Sequence, residues 1–304
     1  MNGNHQLGTS YGQKLTWTLL LSNTYNIYRK HFWAFLGIGL PIALLAYVFR
    51  QCERSLVHAL FNLLVAKAGM GWELTPHTYY PVIVVLGFIE GGVYWILSTI
   101  LFAAIARKVV REDYDDGNIP LSDAYSYVRQ KLRALFVFGI VTWVPFWLTR
   151  LLALSATWKL LDFLGVKLSP FLATIVLSLP LLIVAGLFSR LALAVPELMD
   201  KGNISVREAL RSSFRNTENW EPFFIFFLLK TAVVGYGVYW VADRSFDVLW
   251  ARTSMSASAY YWVTWGVYVC LFAMLESPLF IAFCVLYRET QFNQEDALTA
   301  PAIG

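Results

Sequence analysis

The stretch AGLFSRLALAVPELMDKGNISVREALRSSFRNTENW, residues 185–220, decides how this chain is read. An apolar segment runs to Val195-Pro196, a polar turn follows at Asp200-Lys201-Gly202-Asn203, and a basic amphipathic helix comes next. In that helix Ile204, Ala209, Leu210 and Phe214 tend to one side. Arg207, Arg211 and Arg215 recur at i, i+4 and i+8 on another. Ser205 is a candidate N-cap. Such a helix either lies in a bilayer surface, apolar face in lipid and basic face toward anionic headgroups, or packs beneath the bundle as part of the fold.

Composition extends this reading to the whole chain. Of 304 residues, 58% are hydrophobic, 16% aromatic and only 14% charged, with a net charge of +4. Soluble domains carry roughly 25% charged residues. Lipid does not solvate ions, so a lipid-facing surface has few of them. The opening MNGNHQLGTSYGQK has no apolar signal core, and no cleaved signal peptide is expected. Cys52, Cys270 and Cys284 show no paired spacing, and Cys270 and Cys284, within one apolar segment, read as packing residues.

A spanning helix needs about 20 mostly apolar residues. Six segments qualify: Phe32–Phe49, Pro81–Ala106, Ala134–Leu152, Pro170–Pro196, Trp220–Val241 and Tyr260–Tyr287. Trp33, Tyr79, Tyr80, Trp220, Trp240 and Tyr260–Trp262 sit near their ends, where amphipathic rings favour the headgroup level. Fourteen Lys and Arg fall on the side that holds both termini and eight on the other, so both termini are expected in the cytoplasm and the chain in the inner membrane. Three stretches on the cytoplasmic side, from Leu15, Ile119 and Ile204, read as amphipathic helices preceding spans one, three and five. Ser122 is the candidate N-cap of the second. Connectors from Cys52, Leu152 and Asp243 read as amphipathic segments on the far side.

The order of inner helix, span, outer segment and span thus occurs three times, in units of roughly 15–106, 119–196 and 204–287. Gly117-Asn118-Ile119 recurs as Gly202-Asn203-Ile204, and Asp123-Ala124 as Glu208-Ala209 at the same offset. The expected fold is all-α: six transmembrane helices plus interfacial amphipathic helices, with a three-fold internal repeat.

Arg190 through Pro196, Gly202, Ala209-Leu210, Ser213-Phe214 and Trp220 together resemble the membrane domain found beside some bacterial glycerophosphoryl diester phosphodiesterases. The opening NTYNIYRKHFWAFLGIGLPIAL looks like that family's N-terminal unit. The resemblance implies a membrane domain and little about activity. There is no room here for the catalytic (β/α)₈ barrel of about 250 residues, so the phosphodiesterase activity is not carried over.

Glu90, Arg190, Lys230 and Glu276 stand inside spans. Each costs roughly 2.5–3.5 kcal/mol at a helix centre on insertion scales, so each must face another, a cavity or the interface. Two acids and two bases suit mutual pairing. Lys230 and Glu276 match in depth on antiparallel neighbours, and Arg190 is within reach of Glu276 or Glu197. The four read either as a polar site or as pairs that fix packing. Arg29, Lys30, Arg129, Lys131, Arg133, Arg207, Arg211 and Arg215 are candidate contacts for anionic headgroups.

Pro41, Pro145, Pro180 and Pro278 lie within spans and read as tolerated kinks, and Gly87, Gly91 and Gly92 as sites of close helix approach. Asp113, Asp115 and Asp116 read as a solvated turn. The histidines His5, His31, His58 and His77 form no HExxH, and neither GxSxG nor GxxxxGK[ST] occurs. No enzyme, cofactor, metal site or nucleic-acid partner is expected. The residues point to a lipid-associated scaffold or a subunit of a membrane complex, with a membrane-protein partner or oligomer; the alternative is a transporter or permease component for a small solute or lipid.

Overall fold

Every regular element in the computed structural model is a helix among the residues it describes, 16–68, 76–111, 120–163, 186, 189–201, 204–217, 225 and 257–299. The helices are α1 (Trp17–Lys30), α2 (Phe32–Ala68), α3 (Pro76–Arg111), α4 (Leu121–Phe163), α5 (Ala194–Asp200), α6 (Val206–Asn216) and α7 (Ala257–Thr299). Four stretches within them are long and apolar enough to cross a membrane: Phe32–Phe49, Val84–Val110, Leu121–Thr157 and Val269–Gln291. They overlap expected spans one, two, three and six. Most of the segment 170–196, and all of 220–241 except position 225, lie outside the described residues.

Helix starts follow local chemistry. Thr16 caps α1 by accepting the Leu19 amide. Ser205 caps α6 in a full capping box: its hydroxyl accepts the Glu208 amide while the Glu208 carboxylate accepts the Ser205 amide. Ser122 is not a cap. α4 begins one residue earlier, and the Pro120 carbonyl accepts the Asp123 and Ala124 amides, so Ser122 lies in the first turn. His31 separates α1 from α2; its amide closes α1 on the Ile27 carbonyl, and its own carbonyl receives the Phe35 amide of α2.

Two expected connectors and one expected inner helix are absorbed into long helices. The stretch from Cys52 continues α2, the stretch from Ile119 opens α4, and the stretch from Leu152 continues α4 to Phe163. No Gly or Pro falls at these junctions, so each added residue gains a backbone hydrogen bond without a new nucleus. Pro41, Pro145 and Pro278 are likewise carried inside α2, α4 and α7. At 1.5 Å per residue α4 is roughly 64 Å long, against a hydrocarbon core of about 30 Å. Its ends therefore stand outside the core.

The segment around Pro196 also departs from expectation. The chain turns over Arg190–Leu193, and Pro196 sits in the first turn of α5 rather than at the end of a span. A first-turn residue has no intrahelical use for its amide, so proline is tolerated there. α5 is buried from Ala194 to Met199.

α3 and α4 run antiparallel. Trp143 donates its indole N–H to the Phe88 carbonyl, Trp95 donates to Thr142, Ile96 meets Gly139, and the Arg107 guanidinium lies 3.8 Å from the Tyr127 ring centroid. Gly91 and Gly92 admit the Trp143 ring: a Cβ on Gly92 would stand 2.9 Å from its Nε1, and one on Gly91 would overlap it. A Cβ on Gly87 would meet nothing within 4 Å, so this glycine takes no part. α3 and α7 run parallel, with Tyr94, Ser98 and Phe102 against Phe272, Glu276 and Phe280. α5 is wedged at the C-terminal ends of both, where Arg107 donates to the Met199 carbonyl and Tyr287 to Asp200.

Candidate functional site

Of the four ions expected inside spans, Glu276 is the most buried one described, with none of its surface exposed. It faces α3, where the Ser98 hydroxyl donates to its Oε1 at 2.7 Å. Above and below stand two aromatic pairs: Tyr94 on Phe272, edge to face at 5.3 Å, and Phe102 on Phe280, stacked at 4.5 Å. A polar contact is thus sealed between two ring contacts. Parallel helices place residues four apart on one face, so the four-residue spacing on α3 meets the same spacing on α7.

That match is written in the sequence: an aromatic, a polar residue and an aromatic, four apart, in both expected spans two and six. It identifies Ser98, which a search for charged residues alone passes over.

Arg190 meets neither Glu276 nor Glu197. Its guanidinium donates to the Phe214 carbonyl at 2.8 Å and lies 3.8 Å from the Phe214 ring centroid. It also donates to the Thr217 hydroxyl at 3.4 Å, and its own carbonyl accepts the Ser213 hydroxyl at 2.8 Å. The last carbonyls of a helix carry partial negative charge and lack intrahelical donors. Arg190 answers both needs of α6, which a carboxylate at the same distance does not improve on. Glu197 is instead held by Lys201 four residues on, at 2.9 Å. Glu90 is half-buried, eight residues or about 12 Å of helix rise from Ser98. Lys230, and with it the Lys230–Glu276 pairing, lies outside the described residues.

Next to Ser98 lies a cavity of about 80 Å³, walled by α3, α4, α7 and the turn before α5. Trp95, Phe102, Phe138, Phe280 and Phe283 supply aromatic walls, and Ser98, Thr99 and Thr142 supply hydroxyls.

The surface residues expected to meet headgroups divide. Arg29, Lys30, Arg129, Arg133, Arg207, Arg211 and Arg215 are exposed, while Lys131 is half-buried with its ammonium 5.9 Å from the Tyr127 ring centroid. On α1, Trp17, Leu21, Tyr25 and Arg29 recur every four residues and are all exposed. Lys108, one of the fourteen Lys and Arg counted on the side of the termini, is buried with 1% of its surface exposed. Outside the spans, two groups have shifted acidities. Burial pushes the Tyr28 phenol up, and the Ser205 backbone and hydroxyl donors hold Glu208 below its ordinary value of 4.5.

These features define an all-helical chain with four helices fit to cross a membrane. Comparison with protein-family models, with curated proteins and with solved structures finds no match.

Proposed function

We propose that this protein is a non-enzymatic integral membrane protein that binds anionic lipid at one face, as a scaffold or as a subunit of a membrane complex. The observation that carries the reading is the pair of helices α1 and α6. α1 exposes the stripe Trp17, Leu21, Tyr25 and Arg29, and α6 exposes Arg207, Arg211 and Arg215 beside Phe214. Exposed aromatics next to exposed arginines suit the headgroup level, where rings take the boundary and guanidinium groups take phosphate. Arg129 and Arg133 near the start of α4 extend the same chemistry.

The topology we propose has six crossings, three repeated units and both termini in the cytoplasm. Support comes from connectivity: α4 runs away from the end of the bundle where α5 sits, and α7 runs back toward it. On this reading the chain crosses the bilayer between α4 and α5 and again between α6 and α7. The greater number of Lys and Arg at the α5–α6 end supports placing that end in the cytoplasm of an inner membrane. The resemblance to the phosphodiesterase-associated membrane domain fits this architecture, and we propose it as the family.

The test is the lipid that stays bound after extraction in mild detergent. The proposal expects anionic lipid enriched over its share of the membrane, and the enrichment reduced in a chain carrying Arg207→Gln, Arg211→Gln and Arg215→Gln. Retention of lipid in membrane proportions by the native chain contradicts it.

A second reading, a transporter or permease component, is favoured by the Ser98–Glu276 contact beside a cavity. It requires solute flux into proteoliposomes that Glu276→Gln abolishes; flux of equal rate in that variant removes the reading.

A further inference from the structure

The hydroxyls that wall the cavity have already used their hydrogens. Ser98 donates to the Glu276 carboxyl oxygen at 2.7 Å, Thr99 to the Trp95 carbonyl at 2.9 Å, and Thr142 to the Phe138 carbonyl at 2.8 Å. The indole N–H of Trp95 is spent on Thr142 at 2.9 Å. A serine or threonine hydroxyl has one hydrogen and two lone pairs. The side chains of the walls therefore offer acceptors and no donors.

That asymmetry selects the occupant. A carboxylate, phosphate or carbonyl brings only lone pairs and finds no side-chain donor, and leaving it buried without a partner is costly. A purely apolar group satisfies the rings and leaves the lone pairs unused. An alcohol hydroxyl on an apolar stem satisfies both parts. The volume of about 80 Å³ is several times the roughly 10–15 Å³ that one water-sized group needs. That is room for a hydroxyl and the first carbons behind it, with a longer tail emerging outside.

We propose that this cavity binds the hydroxyl end of a neutral amphiphile, such as a long-chain alcohol or another uncharged lipid with a free hydroxyl. Thr99 accepts its hydrogen bond, since Thr142 already accepts from Trp95, and the phenylalanines Phe102, Phe138, Phe280 and Phe283 hold its stem. The site is separate from the exposed arginines of α1 and α6, and stands or falls independently of them.

The probe pair is 1-dodecanol and methyl dodecyl ether, which differ at the donor. The full chain in mild detergent is equilibrated with both, and retained molecules are counted by native mass spectrometry. We expect the native chain to retain the alcohol about three- to tenfold over the ether, the ratio that one net hydrogen bond confers. Thr99→Val keeps the side-chain shape and removes an acceptor, and the ratio should fall toward one. Ala192→Phe fills the cavity from the turn before α5, and retention of both probes should fall to the level of a detergent blank. If Ala192→Phe does not fold, Thr99→Val decides alone. Equal retention of alcohol and ether by the native chain overturns the assignment. So does an unchanged ratio in Thr99→Val, unchanged retention in a folded Ala192→Phe, or preference for dodecanoate over dodecanol.

Discussion

Arg190 shows what an ion inside an apolar run does when a helix end is nearer than a carboxylate. Its planar guanidinium reaches the Phe214 carbonyl, the Thr217 hydroxyl and the Phe214 ring at once. A lysine cannot make that set of contacts, because its ammonium is a point charge on a flexible stem. Arg190→Lys should therefore destabilise α6 nearly as much as Arg190→Ala, read as faster amide exchange over residues 206–216. The start of that helix supplies a second prediction. Ser205→Ala removes the cap and should cost about 0.5–2 kcal/mol, measured by unfolding in detergent. The Glu208 carboxyl is depressed by its Ser205 donors. Its contribution is complete above the ordinary value of 4.5 and is lost as pH falls through the lowered value. Protection of the first turn of α6 should thus be flat from pH 7 to 5 and decline only in stronger acid. In Glu208→Gln the decline should vanish.

Among the elements, the close crossing of α3 and α4 rests on two glycines of the three in that run. Gly91→Ala or Gly92→Ala forces the Trp143 ring to move, at a cost of about 1–3 kcal/mol for overpacking. Gly87→Ala, with open space around it, should be neutral or slightly stabilising, since alanine is the better helix former. A thermal denaturation series in one detergent separates the three. The continuity of α4 is also measurable. Spin labels at Ser126→Cys and Leu152→Cys, in a chain freed of native cysteines, should lie about 39 Å apart along a straight helix of 1.5 Å rise. A helix bent into the membrane surface near Arg133 brings them distinctly closer.

The positions of four crossing stretches were legible because length and hydropathy alone set them, and Ser205 because a cap is a local contact. Ser122 misleads, since a carbonyl on Pro120 does the work that a hydroxyl was expected to do. The join between amphipathic stretch and span in α4 was not legible, because periodicity changes there while backbone hydrogen bonding does not. Arg190 was placed by charge arithmetic, which cannot see a helix terminus that the fold brings back from Phe214 and Thr217. Ser98 carries no charge and hides among apolar neighbours. Only the matched spacing of Tyr94, Ser98 and Phe102 with Phe272, Glu276 and Phe280 gives it away.

For the molecule as a whole, exposed apolar side chains are the strongest statement about its solvent. Leu132, Phe136, Val137, Ile140, Val141, Leu148 and Leu152 form a continuous exposed side of α4. Water-soluble monomers rarely carry so extended an apolar face. In lipid it costs nothing, while the buried polar contacts at Ser98, Glu276 and Thr142 are confined to the interior, where each has a partner. Ser98→Ala should accordingly destabilise the bundle by about 1–3 kcal/mol, the cost of stripping a donor from a buried acceptor. Leu148→Ala on the lipid side should change stability far less than a core truncation such as Leu101→Ala, for which about 2–5 kcal/mol is expected. Both are read from the same detergent unfolding curve.

The proposed topology has the chain pass through lipid between α4 and α5, so that it puts the end of α4 and the exposed face of α6 on opposite sides of a bilayer. Single cysteines at Ser155 and Arg211, in a chain without Cys52, Cys270 and Cys284, can be tested with a membrane-impermeant maleimide on sealed vesicles of known orientation. The account predicts that intact vesicles label one position and not the other, and that inverted vesicles reverse the pattern. Labelling of both positions from the same side contradicts it.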